Sequence, residues 1–132
     1  MDPGDYEVTP VQFTEIDPGK SKKGIGAYMV LCQVTENNDP KWAGKKVQAR
    51  FQYHPNPPTD GLKQMNAISL QAAVKFIEAA NVQPMLGPDG MIDTVGTLRM
   101  TPQLGVRLMV TVTHRVQDGK SYQDVDGYRP LS

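Results

Sequence analysis

Few residues in this sequence have the types and spacing of a catalytic or metal-binding site. Residues 19–21 (Gly-Lys-Ser) resemble the end of a phosphate-binding loop, but that motif needs a glycine five residues before its Gly-Lys pair, where the chain has Thr14. The two histidines and the one cysteine lack the paired spacing of a metal site. Asp124 and Asp126 share a strand face, which is more typical of a solvated edge than of catalytic carboxylates. We therefore expect no enzyme activity, no metal and no other cofactor.

Binding of single-stranded nucleic acid needs cations that meet phosphates and aromatic rings on which bases stack, at ~1–3 kcal/mol per base. The chain has candidates of both kinds. Phe51 alternates in step with predicted core residues, so we place it in the core, and Tyr122 is a further aromatic candidate that we do not select. We expect Trp42 to be exposed, because it lies in a polar loop. The selected residues are Lys20, Lys22, Lys23, Tyr28, Trp42, Lys45, Lys46, Arg50, Tyr53, Arg107 and Arg115.

Alternation of apolar and polar residues predicts five strands. The first strand changes its parity at Pro10, so we expect it to bend there, as strands do where a sheet curls. Asp118-Gly119 is a hairpin turn signal between the last two strands. The predicted strands cover residues 6–16, 25–35, 45–53 and 105–116, with a last strand through 122–128.

Helical periodicity predicts one helix, over residues 66–81. Asn66 is the predicted N-cap, Asn81 is predicted to close the helix, and Leu70, Val74 and Ile77 form the predicted buried stripe. The proline-rich stretch before it predicts an irregular loop, a polar connection is predicted over residues 36–44, and residues 82–104 show no clear periodicity beyond a short extended piece at 91–92.

Three strands, one helix and two strands are the element order of the OB-fold, a partly open five-stranded barrel that binds oligonucleotides or oligosaccharides. We therefore predict a mainly β, OB-fold-like five-stranded barrel with one helix between strands 3 and 4, forming a single domain over residues 1–132. In this fold strands 2 and 3 and the neighbouring loops form the binding face. A different α+β domain is the alternative.

The composition limits the function further. Fourteen basic and fourteen acidic residues give no net charge, which argues against a purely electrostatic binder. Cys32 is the single cysteine, and we interpret it as a buried, inert thiol. The polar N-terminus predicts no signal peptide, and no apolar stretch approaches the ~20 residues of a membrane span. We therefore expect a cytoplasmic protein with no membrane partner.

Five short motifs, spread over nearly the whole chain, carry a family resemblance. They are PGDYEV at 3–8, KSKKG at 20–24, WAGKKV at 42–47, GKSY at 119–122 and VDGYRP at 125–130. Through them the chain resembles small phage-encoded proteins of formally unassigned function, which often sit among replication and recombination genes and are similar to single-stranded DNA-binding proteins. The resemblance implies a place in phage DNA replication or recombination, in the host cytoplasm.

Residues and resemblance together predict a protein that binds single-stranded DNA without sequence preference. The same features suit RNA as well. The alternative is a protein-interaction adaptor that recruits a replication or recombination partner, since the seven methionines suit adaptable contacts. An OB-type domain for an oligosaccharide or another small ligand is a third reading. Exposed strand edges also favour pairing between copies of the chain.

Overall fold

A computed structural model describes residues 1–37 and 40–131 of the chain. Residues 38 and 39, within the predicted polar connection 36–44, and residue 132 lie outside the described residues. The described part has five strands and two α-helices, both helices lying between the third and fourth strands in chain order. They are β1 Gly4–Ile16, β2 Gly26–Val34, β3 Lys46–Tyr53, α1 Asp60–Ala79, α2 Thr94–Met100, β4 Leu108–Gln117 and β5 Lys120–Arg129.

The strands form one antiparallel sheet in the order β3-β2-β1-β4-β5. β1 is the central strand and is shared between two partners. Its first part, from Gly4 to Val8, pairs with β4, and its later part pairs with β2. The register with β2 shifts between Pro10 and Gln12, which confirms the predicted irregularity at Pro10. A register shift of this kind bends a strand. Because the two halves of β1 pair with different strands, the bend changes the direction of the sheet.

The predicted five-stranded barrel is not confirmed. β3 and β5 are the two ends of the hydrogen-bonded sheet, so the sheet is open between them. The two strands still meet through side chains, since the Phe51 ring lies 6.0 Å from the Tyr128 ring and both pack on Phe76 of α1. The sheet therefore curls until its free edges share one aromatic cluster, and no ladder joins them.

The core lies between the concave face of the sheet and the helices. Val8, Val30 and Val110 of three neighbouring strands are fully buried there, with Phe76 and Leu98 from the helices. Cys32 belongs to the same cluster, and burial raises the pKa of its thiol to about 12. The interpretation of Cys32 as a buried thiol is confirmed.

Helix α1 begins six residues earlier than predicted. The hydroxyl of Thr59 accepts a hydrogen bond from the backbone N–H of Leu62 at 3.2 Å, so Thr59 is the N-cap and the prediction of Asn66 was wrong. Asn66 lies inside the helix, where its amide both accepts from and donates to the backbone of His54, at 2.8 Å each. These bonds attach the proline-rich loop to the helix.

The other end of α1 follows the prediction. Asn81 has φ 55°, and the amides of Asn81 and Val82 donate to the carbonyls of Glu78 and Ile77. This pair of bonds is a Schellman motif. Among the residues that the structure describes, no helix has the length and apolar character needed to cross a membrane.

The buried face of α1 is rotated from the predicted stripe. Leu70 is 55% exposed and Val74 is 37% exposed, whereas Ala73, Phe76 and Ile77 are buried. The prediction was correct for Ile77 and wrong for Leu70 and Val74. The reason is tertiary: α1 turns towards the place where β3 and β5 meet, and Phe76 fills the space between them.

The segment 82–104 contains the second helix, which the sequence did not predict. Asp93 caps α2 by accepting a hydrogen bond from Gly96 N–H at 2.9 Å. Before it, Leu86 and Ile92 form an antiparallel bridge, which agrees with the predicted short extended piece at 91–92. α2 is short and buries one apolar side chain, Leu98. Its sequence therefore lacks the repeated apolar positions from which a helix is predicted.

The β4–β5 hairpin turns at Asp118 and Gly119, which have φ 53° and 74°, as the Asp-Gly signal predicts. Leu108, Val110 and Val112 are buried, but further along the same face Val116 is 75% exposed. The far half of the hairpin therefore extends beyond the core.

Replacing Phe76 with alanine should lower the free energy of unfolding by about 3–5 kcal/mol, because it removes a fully buried ring from the contact between the sheet edges. The matched change Leu70→Ala, at an exposed position on the same helix, should alter it by no more than about 0.5 kcal/mol. Urea denaturation followed by circular dichroism measures both. Equal losses would put Leu70 in the core and contradict the described helix face.

Candidate nucleic-acid interface

A groove of about 780 Å³ lies between β3 and the β4–β5 hairpin, where the sheet stays open. One side, the β3 wall, is formed by Lys46, Gln48, Arg50 and Gln52. The other side, the hairpin wall, is formed by Arg115, Tyr122, Asp124 and Asp126, together with neighbouring residues of β5.

The β3 wall follows from the alternation of its strand. Val47, Ala49 and Phe51 are 1–3% exposed and face the core, so Lys46 and Arg50 between them must face out. Both are exposed. Of the five arginines in the sequence, the other four form ion pairs with carboxylates, and among the described residues neither Arg50 nor Lys46 does. Two unpaired cations therefore stand along one wall.

The hairpin wall is organised around Arg115. Arg115 lies opposite Tyr122 in the ladder, and its guanidinium carbon is 4.8 Å from the centre of the Tyr122 ring. Its Nε donates to the Asp124 carboxylate at 2.9 Å, and it also donates to the side-chain carbonyl of Gln117. The Arg115–Tyr122 pair is thus held in place at the surface, and the Tyr122 side chain is still 42% exposed.

Three of the eleven selected residues line this groove: Lys46, Arg50 and Arg115. The structure places the others elsewhere. Arg107 lies immediately before β4, where its guanidinium is 3.9 Å from Glu7. Two strands, β2 and β1, separate β4 from β3. Lys45 is exposed beside Lys46, and its carbonyl accepts a hydrogen bond from Val34 N–H.

Trp42 is less exposed than predicted. It is partly buried and packs against the core, and Lys41 Nζ lies 4.8 Å from the centre of its ring. The polar neighbours of Trp42 in the sequence suggested a free ring, but the loop folds back towards the sheet: Gly44 N–H donates to Val34 carbonyl at 2.9 Å. This contact draws the tryptophan inward.

Lys20, Lys22 and Lys23 are exposed in the loop between β1 and β2. The loop joins Ile16 to Gly26. Ile16 pairs with Ala27 of β2, and Gly26 and Ala27 pair with Tyr53 and Gln52 of β3. The three lysines therefore lie near the end of β3 that carries Gln52, whereas Lys46 lies at the opposite end of that strand. A ligand that follows the β3 wall from Lys46 towards Gln52 approaches this loop.

Tyr28 and Tyr53 lie on the opposite face of the sheet from Lys46 and Arg50. They share the parity of Phe51, and their rings stack at 4.7 Å with an angle of 8°. Phe13 continues the row, 6.3 Å from Tyr28. Most of the ring surface is thus taken up inside the protein: by the neighbouring rings, and at Tyr53 by Gly26, where an added Cβ would lie 2.8 Å from the ring. The row lacks the open ring faces that bases need for stacking.

Several residues that line the groove were not among the selected ones, including Gln48, Gln52, Asp124 and Tyr122. Two sequence signals point to them. The outward parity of strand 45–53 already includes both glutamines, and the Asp118-Gly119 turn sets the hairpin register that pairs Arg115 with Tyr122. The approach of β5 to β3 could not be predicted from local patterns, because the two strands are far apart in the chain.

The groove offers binding chemistry: cations for phosphate oxygens, one exposed ring, and amides and carboxylates as hydrogen-bonding groups. Within residues 1–37 and 40–131, no group of three or more histidine, cysteine, aspartate or glutamate side chains could hold a metal ion.

The Tyr28–Tyr53 pair predicts a measurable pH dependence. Burial and the hydrogen bond with Tyr53 raise the pKa of Tyr28 to about 12, while the unfolded phenol titrates near ~10. The folded state therefore keeps this proton where the unfolded chain loses it. The stabilisation is complete below pH ~10 and is lost as the pH rises to about 12.

Urea denaturation between pH 9 and 11 should show a smaller loss of stability for Tyr28→Phe than for the wild-type protein. Tyr122→Phe, on the exposed hairpin, controls for removal of a hydroxyl. Identical pH profiles for the wild type and Tyr28→Phe would contradict the assignment.

Two comparisons with known proteins give no match: no protein-family model matches the chain, and no curated protein matches it.

Proposed function

We propose that this protein binds single-stranded DNA, without a required sequence, in the groove between β3 and the β4–β5 hairpin. The observation that carries the proposal is the meeting of unpaired Lys46 and Arg50 with the exposed Arg115–Tyr122 pair across one groove. Cations and an exposed aromatic ring are the two components that single-strand binding requires.

The fold supports this choice. We propose that the curled, open sheet is an OB-fold-like barrel in which the β3–β5 gap replaces the closing ladder. In OB-folds the face of strands 2 and 3 and the loop between strands 4 and 5 bind oligonucleotides. The groove is bounded here by the corresponding elements, β3 and the β4–β5 hairpin.

The geometry favours a single strand over a duplex. Tyr122 can stack only with a base whose face is free, and bases in a duplex are stacked and paired. Gln48 and Gln52 supply donors and acceptors that any base can use. Lys46 and Arg50 meet phosphates, which are the same in every sequence.

The setting of this activity comes from the sequence resemblance. We propose that the protein acts in phage DNA replication or recombination in the host cytoplasm, where it coats or protects single strands. Replication or recombination proteins are its proposed protein partners. Self-association through the open strand edges also belongs to the proposal.

One observation favours the alternative, a protein-interaction adaptor. The ribbon from Met85 to Ile92 carries Leu86, Met91 and Ile92 at 66%, 68% and 58% exposure. Exposed apolar groups concentrated in this way are typical of protein-binding surfaces. A partner that is retained after nuclease treatment, and lost when Leu86 and Ile92 become serine, would favour this function.

Titration of a fluorescent oligothymidine should show binding that weakens with salt, with a slope of about 0.7 per phosphate contact. The double change Lys46→Ala with Arg50→Ala should lower the slope by about 1.4. Lys63→Ala with Lys75→Ala removes two exposed charges from α1 and should leave it unchanged. No binding of any single strand at low salt would refute the proposed function.

The lysine loop tests how far the site extends. Because this loop adjoins the Gln52 end of the β3 wall, replacing Lys20, Lys22 and Lys23 with alanine should lower the slope by up to about 2.1 for a strand long enough to reach it. A hexamer confined to the groove should show a smaller change. An unchanged slope with the longer strand would remove the loop from the site.

A further inference from the structure

The two walls of the groove carry opposite charge. Lys46 and Arg50 make the β3 wall positive, and it has no acidic residue. The hairpin wall carries Asp124 and Asp126 against the single guanidinium of Arg115, which already pairs with Asp124. Its net charge is therefore negative, and a phosphate backbone cannot approach both walls equally.

From this asymmetry we infer that the groove orients the strand, with phosphates along the β3 wall and bases against the hairpin wall, and that Asp126 favours guanine there. The inference rests on the proposed function, because it concerns the same groove. It concerns the type of base and not the order of bases, so binding still covers any single strand.

The orientation follows from electrostatics. Phosphates gain from the unpaired cations of β3 and are repelled by the carboxylates across the groove. Bases are neutral and carry N–H donors, so they can lie against carboxylates without repulsion. The same wall holds Tyr122, the exposed ring on which a base can stack. Charge and stacking thus place the bases on the same side.

The preference for guanine follows from hydrogen-bonding capacity. Asp126 is exposed on the hairpin wall, and its carboxylate forms no hydrogen bond or ion pair with another described residue. An ionised carboxylate has two acceptor oxygens and no donor. Guanine presents N1–H and the 2-amino group side by side, and these two donors match the two oxygens. Thymine presents one N–H between two carbonyls, which the carboxylate repels.

The test compares two strands that differ by one group, d(TTG)₄ and its inosine counterpart, which lacks the 2-amino group. Isolated guanines between thymines avoid four-stranded structures. Fluorescence anisotropy at fixed salt should give ~3- to ~10-fold tighter binding of the guanine strand to the wild-type protein, the range expected for one further hydrogen bond.

Asp126→Asn should bring this guanine-to-inosine ratio close to one while strengthening the binding of oligothymidine, since a repulsive charge is removed. Asp118→Asn makes the same charge change in the turn of the same hairpin, away from the groove lining, and should leave the ratio unchanged. Asparagine also tolerates the positive φ of that position.

The outcomes separate the two proposals. Salt-dependent binding with equal affinity for the guanine and inosine strands overturns the base preference and leaves the proposed function standing. An Asp126→Asn variant that binds every strand more tightly, with the ratio kept, also overturns it, because Asp126 would then act through charge alone. Absence of binding to any strand refutes the proposed function itself.

Discussion

The packing of Phe51, Phe76 and Tyr128 is the contact on which the rest of the structure depends. It holds the free edges of the sheet together through side chains, with ring centres 5.3 to 6.0 Å apart. Aromatic pairs at such distances contribute about 0.5–1.5 kcal/mol each beyond the area they bury. Burial also raises the pKa of Tyr128. Because the edges are joined on the core side only, their outer side stays open as a groove.

This arrangement couples the candidate site to the core through single strands. On β3, Val47, Ala49 and Phe51 are core residues, and the residues between them form the wall of the groove. A shift of one residue in the β2–β3 register would move Lys46 and Arg50 to the core side. The position of the cations is therefore stabilised by the burial of their neighbours, and the site needs no separate scaffold.

Local patterns predicted the parts of this structure that local interactions determine. The irregularity at Pro10, the Asp118-Gly119 turn and the helix end at Asn81 were predicted, because each depends on neighbours in the chain. The same holds for the outward parity of Lys46 and Arg50. The burial of Cys32 was predicted from the apolar run around it.

Apart from the N-cap of α1, the predictions that were wrong involve contacts between distant segments. The buried stripe was wrongly assigned to Leu70 and Val74 because the orientation of α1 is set by Phe76, which packs between β3 and β5. The periodicity of the helix sequence contains no information about that space. Tyr53 shows the same limit. Its parity with Phe51 was visible in the sequence, but the stacking on Tyr28 that takes up its ring depends on the register of β2 with β3.

The positions of the charges in the structure also change how the zero net charge of the chain is interpreted. Four arginines are held by carboxylates: Arg99 by Glu15, Arg107 by Glu7, Arg115 by Asp124 and Arg129 by Asp5. These pairs cancel charge over the surface and leave Arg50 unpaired in the groove, among the described residues. Local potential depends on which cations lack a nearby anion, and not on the total. A neutral chain can therefore present a positive wall to a phosphate backbone.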